Sequence, residues 1–178
     1  MLHKTQMFDR RIKYADIVEK EPIVLDYLIK HSDMCSFIAT FKKPYSQFPP
    51  RFDFDEQLRP FITDYILERD KWPIGVSGQE RHHVMVICRC CKGLRSQIKQ
   101  LPSLLLAENS GMPEDIALYR NGFPMFVTVS HEEMANIYDA TDDDVKFLKE
   151  NEITVSDGRI RDLSVLRYNP SAKGKVTK

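Results

Sequence analysis

Asn121-Gly122 stands between two apolar runs, Ile116 to Tyr119 and Phe123 to Val129, and that setting commits this part of the chain to an antiparallel hairpin. Both turn residues readily take the positive φ of a type I′ turn. A two-residue loop also sets the register. Arg120 then faces Phe123 as a hydrogen-bonded pair, and Tyr119 faces Pro124 as a non-bonded pair. Pro124 has no N–H to offer on its other side, so its strand is expected at a sheet edge, or unpaired around the proline.

Two helix starts are expected after the hairpin. Ser130-His131-Glu132-Glu133 has the S-x-x-E form of a capping box, and Thr141-Asp142-Asp143-Asp144 places three carboxylates in a first turn, where the helix dipole favours them. Within this stretch, Pro113-Glu114-Asp115, Leu118-Tyr119-Arg120, Gly122 and His131-Glu132 form a PED, YR-x-G, HE pattern. The pattern resembles a segment of small uncharacterised bacterial proteins. The resemblance covers roughly a tenth of the chain and implies no activity and no site residues.

Upstream, a short helix is expected around Arg10 to Glu19, and a second, mostly buried one from Pro22 to about His31. Cys35 to Phe41 reads as a strand, with Cys35, Phe37, Ala39 and Phe41 on one face and Ser36, Ile38 and Thr40 on the other. Lys42 to Pro50 is a proline-rich loop. Leu58, Phe61, Ile62, Tyr65 and Ile66 lie at i, i+3, i+4, i+7, i+8, which predicts an amphipathic helix beginning between Gln57 and Pro60 and ending near Asp70. A loop from Trp72 to Glu80 follows. His83 to Cys88 is nearly continuous in apolar character, as in a strand buried on both faces. Lys92 to Gln100 reads as a helix, with a second short helix after Pro102 closing at Asn109 to Gly111. Ile153 to Ser156 and Arg159 to Leu166 are expected to pair about Asp157-Gly158. Helices interleaved with hairpins make an α+β fold with a largely antiparallel sheet. Residues 1–168 are expected to form one globular domain, with a flexible basic tail over 169–178.

The chain of 178 residues is 42% hydrophobic and 10% aromatic, values of a folded protein rather than a disordered one. It contains no apolar run approaching the ~20 residues of a membrane span and no signal-like N-terminus, so a cytoplasmic, membrane-free protein is expected. Three of the four cysteines crowd between Cys88 and Cys91, which suits reduced thiols rather than a disulfide framework. The formal net charge is zero but unevenly distributed: Arg81 to Lys99 has five bases and no acid, and Glu132 to Asp157 has nine acids against Lys146 and Lys149.

Cys88-Arg89-Cys90-Cys91 has C-x-x-C spacing between a predicted strand and a predicted helix, so Cys88 and Cys91 are candidate redox thiols, with Arg89, Lys92 and Arg95 near enough in sequence to favour a thiolate. Core packing is the simpler reading, because cysteine is so often buried. The C-x5-R spacing of a phosphatase loop is absent: Leu94 and Ser96 stand where the arginine would be. Cys35, Cys88, Cys90, Cys91, His82 and His83 lack the two separated ligand pairs of structural zinc. His131 is a candidate general base, yet Ala135 stands where H-E-x-x-H needs its second histidine. No metal or other cofactor is implied. Arg81, Arg89, Arg95 and Lys99 could pair with phosphates, although the domain is neutral and no aromatics interleave that run. With no intact catalytic signature, and with Tyr45, Phe48 and Trp72 expected in exposed loops, the leading expectation is a small cytosolic, non-enzymatic protein. It would bind another protein in a regulatory or toxin-immunity-like role. A thiol enzyme and a nucleic-acid binder are the alternatives.

Overall fold

A computed structural model describes residues 6–41, 51–52, 54–67, 71–72, 75–76, 82–105 and 113–162. Its ten strands are β1 (Gln6–Ile12), β2 (Met34–Phe41), β3 (Ile62–Leu67), β4 (Lys71–Trp72), β5 (Gly75–Val76), β6 (His82–Arg89), β7 (Pro113–Arg120), β8 (Phe123–Val129), β9 (Met134–Tyr138) and β10 (Arg159–Asp162). Five helices accompany them: α1 (Tyr14–Glu19), α2 (Glu21–Lys30), α3 (Asp55–Leu58), α4 (Lys92–Ile98) and α5 (Asp142–Glu150). Eight strands form one sheet in the order β10-β1-β9-β8-β7-β2-β6-β3, and β4 pairs with β5 apart from it. Every pairing among the described strands is antiparallel. The fold is therefore α+β, as the sequence predicts. No described helix is long and apolar enough to cross a membrane.

The hairpin forms at Asn121-Gly122, with φ of 53° and 78°, and pairs Arg120 with Phe123 and Tyr119 with Pro124 as its turn requires. Just beyond Pro124 the register shifts, because Leu118 faces Phe126 and Met125 is the extra residue of a bulge. β8 lies inside the sheet, and its ladder with β9 begins only at Phe126, which leaves Pro124 outside that ladder. Central burial follows the apolar pattern. Val84 to Cys88 of β6 are all buried, with Val84, Val86 and Cys88 in the main core and Met85 and Ile87 in a cluster on the opposite face. α2 enters with Pro22 in its first turn and buries Val24, Leu25, Leu28 and Ile29 against the main core face. Each such side chain contributes about 1.5–3 kcal/mol on burial.

Several sequence expectations fail, for related reasons. The amphipathic helix after Gln57 is a short α3, a 3-10 turn over Arg59–Phe61 and then β3. Tyr65 faces Val86 and Ile66 faces Met85, so the two residues assigned to one helical face lie on opposite faces of a strand. The β-branched and aromatic side chains of β3 favour a strand, and pairing with β6 outweighs a helical spacing that is also satisfied by chance. Ser130 does not open a helix. Ser130–Glu132 is a 3-10 turn without a side-chain cap, Glu133 takes φ 50°, and Met134 begins β9. In place of capping, the Ser130 amide donates to Asp115 Oδ1 at 2.7 Å. Ala135 and Ile137 of β9 alternate into the core, and this two-residue period wins.

The N-terminal helix is confined to α1, because Gln6 to Ile12 form β1 between β9 and β10. The expected C-terminal hairpin does not form either. Val155 bridges to Ile12, and β10 pairs with Gln6 to Asp9, so both segments use β1 rather than each other. No helix follows Pro102 over 101–105. The rest of that expected helix, the 42–50 loop and the tail over 169–178 lie outside the described residues.

Candidate functional site

α2 and α4 pack side by side above the main core face, and with residues 101–103 they enclose a cleft of about 230 Å³. Helical spacing creates it. Leu25 and Ile29 of α2, Ile98 of α4 and Val18 of α1 form an apolar floor, while Glu21, Asp26, Arg95 and Lys99 supply the polar part of the lining. Glu21 is nearly buried, and its carboxylate accepts from the Leu104 amide at 2.8 Å and from the Ser103 hydroxyl. It thus anchors one wall. Asp26 accepts from Arg95 Nε at 3.0 Å and Nη2 at 3.1 Å, and pairs with Lys99 Nζ at 2.8 Å. The Lys99 contact, aided by Arg95 and opposed by partial burial, holds the Asp26 carboxyl below its ordinary range.

One carboxylate therefore serves two cations, and the outer one, Lys99, is half exposed. Lys92, Arg95 and Lys99 follow one another at i, i+3 and i+7 along α4, so positive charge is in excess on that side of the helix. Elsewhere on α2, Ile23 is 53% exposed, the one large apolar side chain exposed among the described residues.

The other nominated residues are dispersed. Arg89 is exposed at the end of β6, and Trp72 faces Gly75 in the β4–β5 pair. Arg81 and Tyr45 lie outside the described residues. His131 is exposed on the 3-10 turn, with Nε2 3.8 Å from Glu132 Oε1, and no cysteine is gathered with it. Cys91 caps α4, its Sγ accepting from the Leu94 amide at 3.5 Å. Cys88 is buried opposite Cys35, a neighbour that the C-x-x-C spacing does not reveal and the strand register does. The Cys35 thiol is pushed well above its ordinary pKa by hydrogen bonding to Cys88 and Cys90 and by burial. Arg95, one of three cations in reach of the thiols by sequence, is committed to Asp26. Among the described residues, no three histidine, cysteine or acidic side chains are placed to hold an ion.

A second polar cluster was not signalled by sequence. Asp144 caps α5 reciprocally with Thr141 and also accepts from Arg120 Nη1 and Nη2 at 3.1 and 3.2 Å and from the Tyr27 hydroxyl at 3.1 Å. Tyr27 stacks on Phe147 at 3.8 Å, joining α2 to α5. Burial, reinforced by the charge of Asp144, pushes the Tyr27 hydroxyl up to about 12. Burial opposes ionisation of Asp144, but Arg120 and the Thr141 amide outweigh it and hold the carboxyl below its ordinary value. Only the third aspartate of the T-D-D-D start, three residues after its cap, carried any hint of this role.

Comparison with protein families, with curated proteins and with solved structures found no match to this chain.

Proposed function

We propose that this chain is a protein-binding module without catalytic activity, and that it receives an acidic, apolar-anchored segment of its partner in the α2–α4 cleft. The observation that carries the reading is the cleft itself: an apolar floor beside a polar rim where Asp26 is shared by Arg95 and Lys99, on a helix, α2, that also exposes Ile23. Partner carboxylates would accept from Lys99 and Lys92, while an apolar side chain fills the floor. Rim charges of this kind contribute about 0.2–1 kcal/mol each and chiefly steer association. A buried anchor supplies more, about 1.5–3 kcal/mol. A regulatory or toxin-immunity-like role in a bacterial cytoplasm is the setting we propose for such a module.

The test is co-purification from the source cells at low and high salt. The expected result is a stoichiometric protein partner, released by salt and lost in a K92E/K99E variant that keeps its unfolding midpoint. A partner retained equally by that variant, or a monomer that turns over a small substrate, overturns the reading.

A further inference from the structure

Three thiols meet where β2 and β6 run side by side. Cys35 and Cys88 are directly opposed in the ladder, so their side chains leave the same face of the sheet. Cys90 lies two residues beyond Cys88 and returns to that face. Its amide still donates to the Asp33 carbonyl at 3.0 Å, which keeps it in ladder geometry although β6 ends at Arg89. All three pack on the main core, but with different access: Cys35 and Cys88 are fully buried, whereas Cys90 is only half-buried. Packing needs none of this sulfur chemistry, since alanine or valine would fill such positions.

We propose that Cys90 and Cys35 form an oxidation site for hydroperoxides, with Cys90 as the point of entry and Cys35 as the resolving thiol. The Cys90 sulfur attacks the O–O bond and is oxidised to a sulfenic acid, while the peroxide is reduced and leaves as water or an alcohol, carrying the thiol proton. The Cys35 sulfur then attacks the Cys90 sulfur, the S–O bond breaks, and the hydroxyl leaves as water with the Cys35 proton. Two thiols and one hydroperoxide thus become one disulfide, one water and one alcohol or second water. The division of roles follows from access, because solvent reaches Cys90 and not Cys35. The suppressed ionisation of Cys35 agrees with it, since a thiol that keeps its proton is a poor first attacker. This site differs from a Cys88/Cys91 dithiol, because Cys91 caps α4 and Cys88 is sealed in the core.

The test is hydrogen peroxide treatment of the full chain, followed by peptide mapping under non-reducing conditions. Wild type is expected to lose two hydrogens and yield a Cys35–Cys90 linked peptide. C90S is expected to abolish that link, and C91S, which keeps a capping hydroxyl, is expected to retain it. In C35A, a cyclic-dione trap should mark a persistent sulfenic acid at Cys90. A Cys90–Cys91 or Cys88–Cys91 disulfide in wild type overturns the proposal. So do a Cys35–Cys88 link that still forms in C90S, and four free thiols after a dose that oxidises free cysteine.

Discussion

Asp26 and Asp144 each accept two hydrogen bonds from one arginine, yet they occupy opposite regimes. The Asp26, Arg95 and Lys99 side chains are 27%, 27% and 50% exposed, whereas Asp144 is 1% exposed under a 26% exposed Arg120. Water competes at the first site and is largely excluded from the second. The same pairing chemistry therefore leaves cations available at the cleft, whereas at Asp144 it fastens α5 to the hairpin as a lock. Ion pairs of similar geometry can serve recognition or architecture, and the surrounding dielectric decides which.

The sharpest way to break this comparison is Asp144→Ala. It removes the acceptor of both Arg120 Nη groups, the Tyr27 hydroxyl and the Thr141 amide together, and a loss of about 3–5 kcal/mol is expected in urea unfolding. A loss below about 1 kcal/mol would place the lock in the same class as the cleft. Acid titration gives the next effect. A carboxyl whose folded pKa is depressed contributes stability that is complete above its unfolded value of about 4 and is lost as pH falls through the folded value. Wild type should therefore weaken below about pH 4, and Asp144→Asn should flatten that limb more than Asp26→Asn does. Tyr27→Phe keeps the stack on Phe147 but removes one bond to Asp144, so a loss of about 1 kcal/mol is expected. Asp26→Ala should cost at most about 1 kcal/mol, and that cost should shrink in salt. Lys99→Glu is expected to shift stability least, within about 0.5 kcal/mol, while weakening partner retention measured on the same preparation.

The elements legible in sequence share one property: their determinants lie within a few residues. Asn121-Gly122 sets its own φ angles, Thr141 and Asp144 cap each other, Pro22 starts α2, and the apolar run of β6 declares burial on both faces. The misread elements depend on a distant strand. Ile62 to Leu67 carries both a helical and a strand spacing, and only β6 selects between them. Ser130-His131-Glu132-Glu133 spells a capping box, but Asp115 takes the Ser130 amide and β1 and β8 claim the residues that follow. At the candidate sites, Arg95 and Lys99 were legible as cations, whereas their shared partner Asp26 lies some seventy residues earlier. Cys35 is likewise remote in sequence from Cys88 and Cys90, and it is joined to them by register alone.

The sequence by itself determined the Asn121-Gly122 turn, the Thr141–Asp144 cap, a strand buried on both faces and the segregation of charge, because these follow from local backbone preference and side-chain character. Only the tertiary structure decided which strands lie beside β1 and β6, which acid answers each arginine, and which thiols share a face. Those choices arise when distant segments compete for the same backbone hydrogen bonds and the same apolar volume, and no short window of residues contains both competitors.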